Sequence, residues 1–167
     1  MAPRRLTFAL IVVSSSRFQQ LLKGERITDP SGTLMTRLLT EAGHAVDSKR
    51  IIADEQGLLE RSLRTAIDRS SVDAVVLSGG TGISPTDITI ETVRPLLGKE
   101  LPGFGELLRR LSFDDIGSSA LLTRAIAGLF NGKPVFCIPG SPQAVETALT
   151  HIIIPETGHI VKHARDA

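Results

Sequence analysis

Asp73-Ala74-Val75-Val76-Leu77-Ser78-Gly79-Gly80-Thr81-Gly82, followed by Ile83-Ser84-Pro85-Thr86-Asp87, decides how this chain folds. The apolar run over 73–78 is short and does not alternate, so it predicts a strand buried on both faces. Three glycines in four positions break that strand, and a helix is expected from about 87 to 97. Glycines at such a turn let the backbone approach a ligand and aim N–H groups at it. The helix that follows adds positive partial charge at its N-terminus. Phosphate is the natural guest, although a tight strand-to-helix turn would also use glycines merely because they fit. The pattern is neither a P-loop, since no Gly-Lys-Ser/Thr follows, nor the dinucleotide fingerprint G-x-G-x-x-G.

The same alternation repeats on either side. Residues 6–13, Leu-Thr-Phe-Ala-Leu-Ile-Val-Val, predict a buried first strand that ends at Ser14-Ser15-Ser16-Arg17. Residues 18–28 are polar and read as a mobile loop. Asp29-Pro30 opens a helix, with Asp as N-cap and Pro at the first helical position, and Gly43 ends it. A weakly patterned strand is expected near 45–53, then Asp54 as the cap of a helix over 55–69. Leu59, Leu63, Ala66 and Ile67 supply the buried stripe of that helix. Pro102 opens a helix through Leu107, Leu108 and Leu111, and 115–122 holds another short one. Asn131-Gly132 predicts a hairpin between the apolar runs 121–130 and 134–138. The last strand ends at Pro139-Gly140-Ser141-Pro142, and a final helix over about 142–153 is closed or kinked by Pro155.

Strands alternating with helices predict a three-layer α/β/α fold with a mostly parallel sheet, as one domain over residues 1–167. Parallel strands point their C-terminal ends the same way, and ligands bind at those ends. The turns 14–17, Asp54, 79–87 and 139–142 are therefore expected to share one edge. Two carboxylates there, Asp54 and Asp87, suit a hard cation such as Mg²⁺ beside phosphate, and each also reads as a helix cap. Ser14, Arg17 and Arg124 are candidate phosphate partners, the arginines because of their forked donors. Pro139-Gly140-Ser141 would shape the pocket or start the last helix.

Composition sets limits. The chain has 167 residues, 41% of them hydrophobic and 22% charged, which excludes a disordered chain or a coiled coil. A net charge of +1, with no Trp or Tyr, argues against a nucleic-acid partner. Cys137 lies in an apolar run and reads as inert packing. His44, His151, His159 and His163 lack metal-ligand spacing. Arg4-Arg5 before the first apolar run imitates a secretory signal, but the run is short and no cleavage site follows, so a buried strand explains it better. No run approaches the ~20 apolar residues of a membrane span, and a cytoplasmic location is expected.

Taken together, these motifs resemble the MoaB/MogA family of molybdenum-cofactor biosynthesis proteins. The resemblance rests on Ser78-Gly79-Gly80-Thr81-Gly82-Ile83 with Asp87 and Thr89 downstream, on Leu101-Pro102-Gly103-Phe104-Gly105-Glu106, on Leu122-Thr123-Arg124, and on Ile138-Pro139-Gly140-Ser141-Pro142. It spans essentially the whole chain, and the Gly-Phe-Gly-Glu block leans toward the MoaB branch. Where the family commonly has Leu-Ser-Arg, this chain has Thr123, which keeps the hydroxyl and adds a methyl. The resemblance implies a molybdopterin-binding fold and transfer of AMP from Mg-ATP to the terminal phosphate of molybdopterin, with release of pyrophosphate. Asp54 and Asp87 would be the catalytic and metal residues. Ser14, Arg17, Ser78–Gly82, Glu106, Arg124 and Pro139–Ser141 would bind substrate. The alternative is a non-catalytic molybdopterin-binding or assembly protein of the same pathway. A homo-oligomer is also implied, a trimer or a hexamer, with other proteins of the pathway as further partners. The apolar content of 101–130 supports an oligomer, unless that segment simply completes the monomer core.

Overall fold

A computed structural model describes residues 5–166; Arg4 of the signal-like lead lies outside them. Six strands form one sheet: β1 (Thr7–Val13), β2 (Ala45–Ile52), β3 (Ala74–Ser78), β4 (Lys99–Glu100), β5 (Ile126–Phe130) and β6 (Lys133–Ile138). Their order is β2-β1-β3-β6-β5-β4. Strands β2, β1, β3 and β6 run parallel, and β5 is antiparallel to both β6 and β4. The hairpin joining β5 to β6 turns at Asn131 and Gly132, both with positive φ, as a tight two-residue connection requires. The two-residue edge strand β4 has no pattern of its own in the sequence, being too short to show one.

The described residues form seven α-helices: α1 (Ser15–Leu22), α2 (Pro30–Glu41), α3 (Gln56–Asp68), α4 (Thr89–Val93), α5 (Pro102–Ile116), α6 (Pro142–Ala148) and α7 (Ile154–Arg165). Side chains of the central strands alternate between two cores. Phe8, Leu10 and Val12 of β1 meet Met35 and Leu39 of α2, Phe104 and Leu108 of α5, and Val145 of α6. Ala9, Ile11 and Val13 meet Leu59 and Leu63 of α3 and Ile90 and Val93 of α4. This is the three-layer arrangement expected. Burial of each of the larger side chains among these, Val, Leu, Ile, Phe or Met, contributes roughly 1.5–3 kcal/mol.

Three expectations about local structure are corrected. Residues 18–28 are not all loop, because α1 runs to Leu22; none of its residues is buried, so no apolar stripe marks it. The helix expected over 87–97 is only the five residues of α4, and Pro95 helps tighten Arg94–Leu96 into a 3₁₀ turn. Pro155 does not close the last helix. Leu149–Ile153 wind as a π turn between α6 and α7, and this wider winding just before the proline absorbs its missing N–H. The region 115–122 holds a 3₁₀ turn at Gly117–Leu122.

Candidate functional site

The four turns named above all follow C-terminal ends of the parallel strands, so they do share one edge of the sheet. The glycine turn sits where the connections reverse, beside the end of β1. Gly79 has φ +102°, and a Cβ there would overlap the Val13 carbonyl of β1. Gly80 has φ +63°, and a Cβ there would meet Thr89 and stand 2.8 Å from Asp54 Oδ1. Glycine is required at both positions by space as well as by dihedral angle. Thr89, at the start of α4, pins the turn: its N–H donates to the Gly80 carbonyl (2.9 Å) and its hydroxyl to the Gly79 carbonyl (2.8 Å). The turns after β3 and β6 touch, since a Cβ on Gly140 would lie 3.2 Å from Gly79 Cα.

Over this edge lies a cavity of about 370 Å³. One wall is Gly79–Gly82 with Asp87. The second is Pro139, Gly140 and Ser141 with the first turns of α6. The third comes from the end of α5 and the 3₁₀ turn, through Ser112, Asp115, Ile116, Ser119 and Leu122–Arg124. Ser141 caps α6, accepting from the Ala144 N–H at 3.3 Å. Arg124 reaches across: Nη1 donates to the Gly82 carbonyl (3.0 Å) and Nη2 to the Glu91 carboxylate. Burial alone would raise the Glu91 pKa, but the hydrogen bond from Arg124, a backbone hydrogen bond and the charges of Arg124 and Arg94 together hold the carboxyl below its ordinary value.

Neither aspartate is a helix cap. The N-cap of α3 is Glu55, without a side-chain bond, and Asp54 instead turns toward α1. Its Oδ2 accepts the Ser15 N–H (3.1 Å) and hydroxyl (2.8 Å), while its own N–H donates to Ser15 Oγ (2.9 Å). The N-cap of α4 is Ile88; Asp87 Oδ2 accepts the Ser84 N–H at 2.9 Å and closes the loop between turn and helix. Both carboxylates flank the glycine turn, Asp54 beside Gly80 and Asp87 beside Gly82. Each commits one oxygen to a backbone N–H, and among the described residues the other oxygen accepts no hydrogen bond. The described residues contain no group of three or more His, Cys, Asp or Glu able to hold a metal alone. That donor set fits a hard cation that takes the rest of its ligands from phosphate oxygens and water.

The remaining candidates divide. Gly79–Gly82, Asp87, Arg124 and Pro139–Ser141 line the cavity. Ser78 is buried beneath it, its hydroxyl donating to the Pro139 carbonyl (3.3 Å), so it joins two turns and does not face the cavity. Ser14 and Arg17 lie outside it at the head of α1, where Arg17 donates to the Thr28 carbonyl (2.9 Å). Glu106 is exposed on α5, away from the cavity. Asp115, Ser112 and Ser119 were not foreseen; they follow no strand, and only the packing of α5 brings them to the site. Burial pushes the Cys137 thiol up, consistent with inert packing. No helix of the described residues is long and apolar enough to cross a membrane.

Residues 9–159 match the domain family described as "Probable molybdopterin binding domain". The chain is 44% identical to the molybdenum cofactor biosynthesis protein B of Halalkalibacterium halodurans, over 96% of this chain and 91% of that one. It is 37% identical to the "Probable molybdopterin adenylyltransferase" of Methanocaldococcus jannaschii, over 98% and 96% respectively. The crystal structure of the tungsten cofactor synthesizing protein MoaB of Pyrococcus furiosus superposes with a TM-score of 0.87 at 41% identity, covering 99% of this chain and all of that one.

Proposed function

The chain belongs to the molybdopterin-binding domain family of molybdenum-cofactor biosynthesis, and from that membership we propose that it adenylylates molybdopterin with Mg-ATP. A terminal phosphate oxygen of the pterin attacks the α-phosphorus of ATP. The new P–O bond forms as the bond to the β-bridging oxygen breaks, and pyrophosphate leaves with that electron pair. The nucleophile is already ionised at neutral pH, so no strong general base is needed. The work is to hold two anions together and offset their charge. The observation that carries this reading is the cavity walled by a glycine turn, an arginine and an aspartate at the ends of parallel strands.

Within that cavity the Gly79–Gly82 turn offers its backbone to the phosphate and Arg124 supplies a cation. Asp54 and Asp87 would hold Mg²⁺, which when bound neutralises phosphate charge and favours displacement at phosphorus. Purified protein with Mg-ATP is expected to release pyrophosphate only when molybdopterin is present. Binding of molybdopterin without pyrophosphate release would instead identify a non-catalytic binding protein.

The chain is also proposed to assemble as a trimer or hexamer and to act in the cytoplasm. Phe104, Leu108, Ile126 and Phe130 are buried in the subunit, but Leu107, Phe113, Ile116, Leu121 and Leu122 remain exposed, Leu121 by 85%. Apolar side chains left exposed along α5 and the 3₁₀ turn support a subunit contact closed by symmetry. Light scattering is expected to give three or six times 17.9 kDa, and a mass near 17.9 kDa would contradict assembly.

A further inference from the structure

We propose that Glu91 is a positioning residue that fixes the Arg124 guanidinium across the cavity so that its remaining donors meet an incoming phosphate. The proposal deepens the reading above and rests on it. Arg124 stands between the 3₁₀ turn and β5 and lines the cavity together with the glycine turn. Both of its acceptors, the Gly82 carbonyl and the Glu91 carboxylate, belong to the glycine turn and the helix that directly follows it. The arginine thus ties the two walls together.

Glu91 does not line the cavity, whereas Arg124 does, so any effect of the glutamate on a ligand passes through the arginine. With both acceptors present the planar guanidinium is held at two of its nitrogens. Without Glu91 it hangs from Gly82 alone and is free to pivot. Two acceptors leave the rest of the five N–H donors open to a phosphate, in a fixed fork. Ordering the arginine before the ligand arrives removes an entropy cost of binding. The neighbouring Arg94 does not substitute, because its Nε and Nη2 are engaged by Glu100 of β4, each at 3.2 Å. A surface ion pair that only stabilised the fold would contribute little and would leave ligand affinity alone.

The test is calorimetric titration of the full chain with inorganic pyrophosphate, with melting temperature recorded for every variant. Arg124→Ala and Glu91→Ala are each expected to weaken binding about tenfold, the scale of one charge-assisted hydrogen bond. Glu91→Gln keeps an acceptor at the same reach and should stay within about twofold of wild type. Glu91→Asp withdraws the carboxylate and should resemble Glu91→Ala, which covers the case in which the alanine variant fails to fold. In the double variant, loss of Glu91 should add nothing to loss of Arg124. The proposal is overturned if wild type does not bind pyrophosphate, if Glu91→Ala and Glu91→Asp bind as wild type does, or if loss of Glu91 weakens binding equally in the Arg124→Ala background. Intact coupling in a protein that transfers no AMP would overturn the adenylyltransferase reading and leave this one standing.

Discussion

The two halves of the parallel sheet end differently. At the β3–β6 end, the connections leave a glycine turn and a proline-glycine turn side by side, and α5 with its 3₁₀ extension stands off them as a third wall. At the β1–β2 end, a few ångströms away, the chain enters α1 directly after Ser14, and Ser15 fills the hydrogen-bonding positions of Asp54. Both ends carry a carboxylate and hydroxyls, but the 370 Å³ cavity lies over the β3–β6 end. Strand ends supply the chemistry, and it is an element from elsewhere in the chain that encloses it. The two ends meet at Gly79, packed on the Val13 carbonyl, and at Gly80, packed beside Asp54.

The substitution expected to have the largest effect is at the cavity end. Asp87→Asn should keep the fold and lower AMP transfer at saturating Mg²⁺ by about a hundredfold or more, the scale of one removed electrostatic contact to a transferring phosphate. Pyrophosphate release measured against wild type checks this, and equal turnover would remove Asp87 from the machinery. Next is the joint between the ends. Gly79→Ala puts a Cβ against Val13 in a left-handed conformation and is expected to cost about 1–3 kcal/mol of stability. Urea denaturation measures it, and an unchanged midpoint would mean that the two ends are not packed as described.

Asp54→Asn should act more mildly and in a different way. Molybdopterin binding is retained while ATP-dependent product falls by about tenfold, if Asp54 serves the nucleotide–metal side of the turn. Loss of about 1 kcal/mol of stability with full specific activity would instead limit Asp54 to ordering the start of α1. The smallest effect lies at the opposite edge of the sheet. Burial lowers the pKa of His44 below its ordinary 6.5, and its Nδ1 accepts the Leu6 N–H at 3.2 Å. The unfolded chain therefore binds this proton more readily than the folded one, so the stabilisation present above pH ~6.5 is lost as pH falls through the window below it. The urea midpoint should decline modestly from pH 7.5 to 5.5, and His44→Gln should flatten that decline. Pyrophosphate affinity of the two proteins should remain equal throughout.

The contrast between the two ends also explains what the amino-acid sequence made legible. The buried runs at 6–13 and 73–78, the hairpin at Asn131-Gly132, the cap at Asp29 and the turn at 139–142 are local signals, so the sheet and its shared edge could be read in advance. The fate of each carboxylate could not. Asp54 and Asp87 have the same local setting, a strand end before a helix, and only the entry of α1 at one end distinguishes their surroundings. Asp115, Ser112 and Ser119 carry no local signal, because a helix face is assigned to a cavity by what it packs against. Arg124 was identifiable as a forked donor, but its partner Glu91 was not, since the pairing spans 33 positions and depends on how two walls meet.

Whether the glycine turn is the phosphate site is decided by a crystal of the protein soaked with ATP and Mg²⁺. Phosphate density is expected against the backbone of Gly79–Gly82 within reach of Arg124, with a metal ion beside Asp87 on the same turn. Nucleotide bound only at the head of α1, or ordered elsewhere on the molecule with the glycine turn empty, would contradict it.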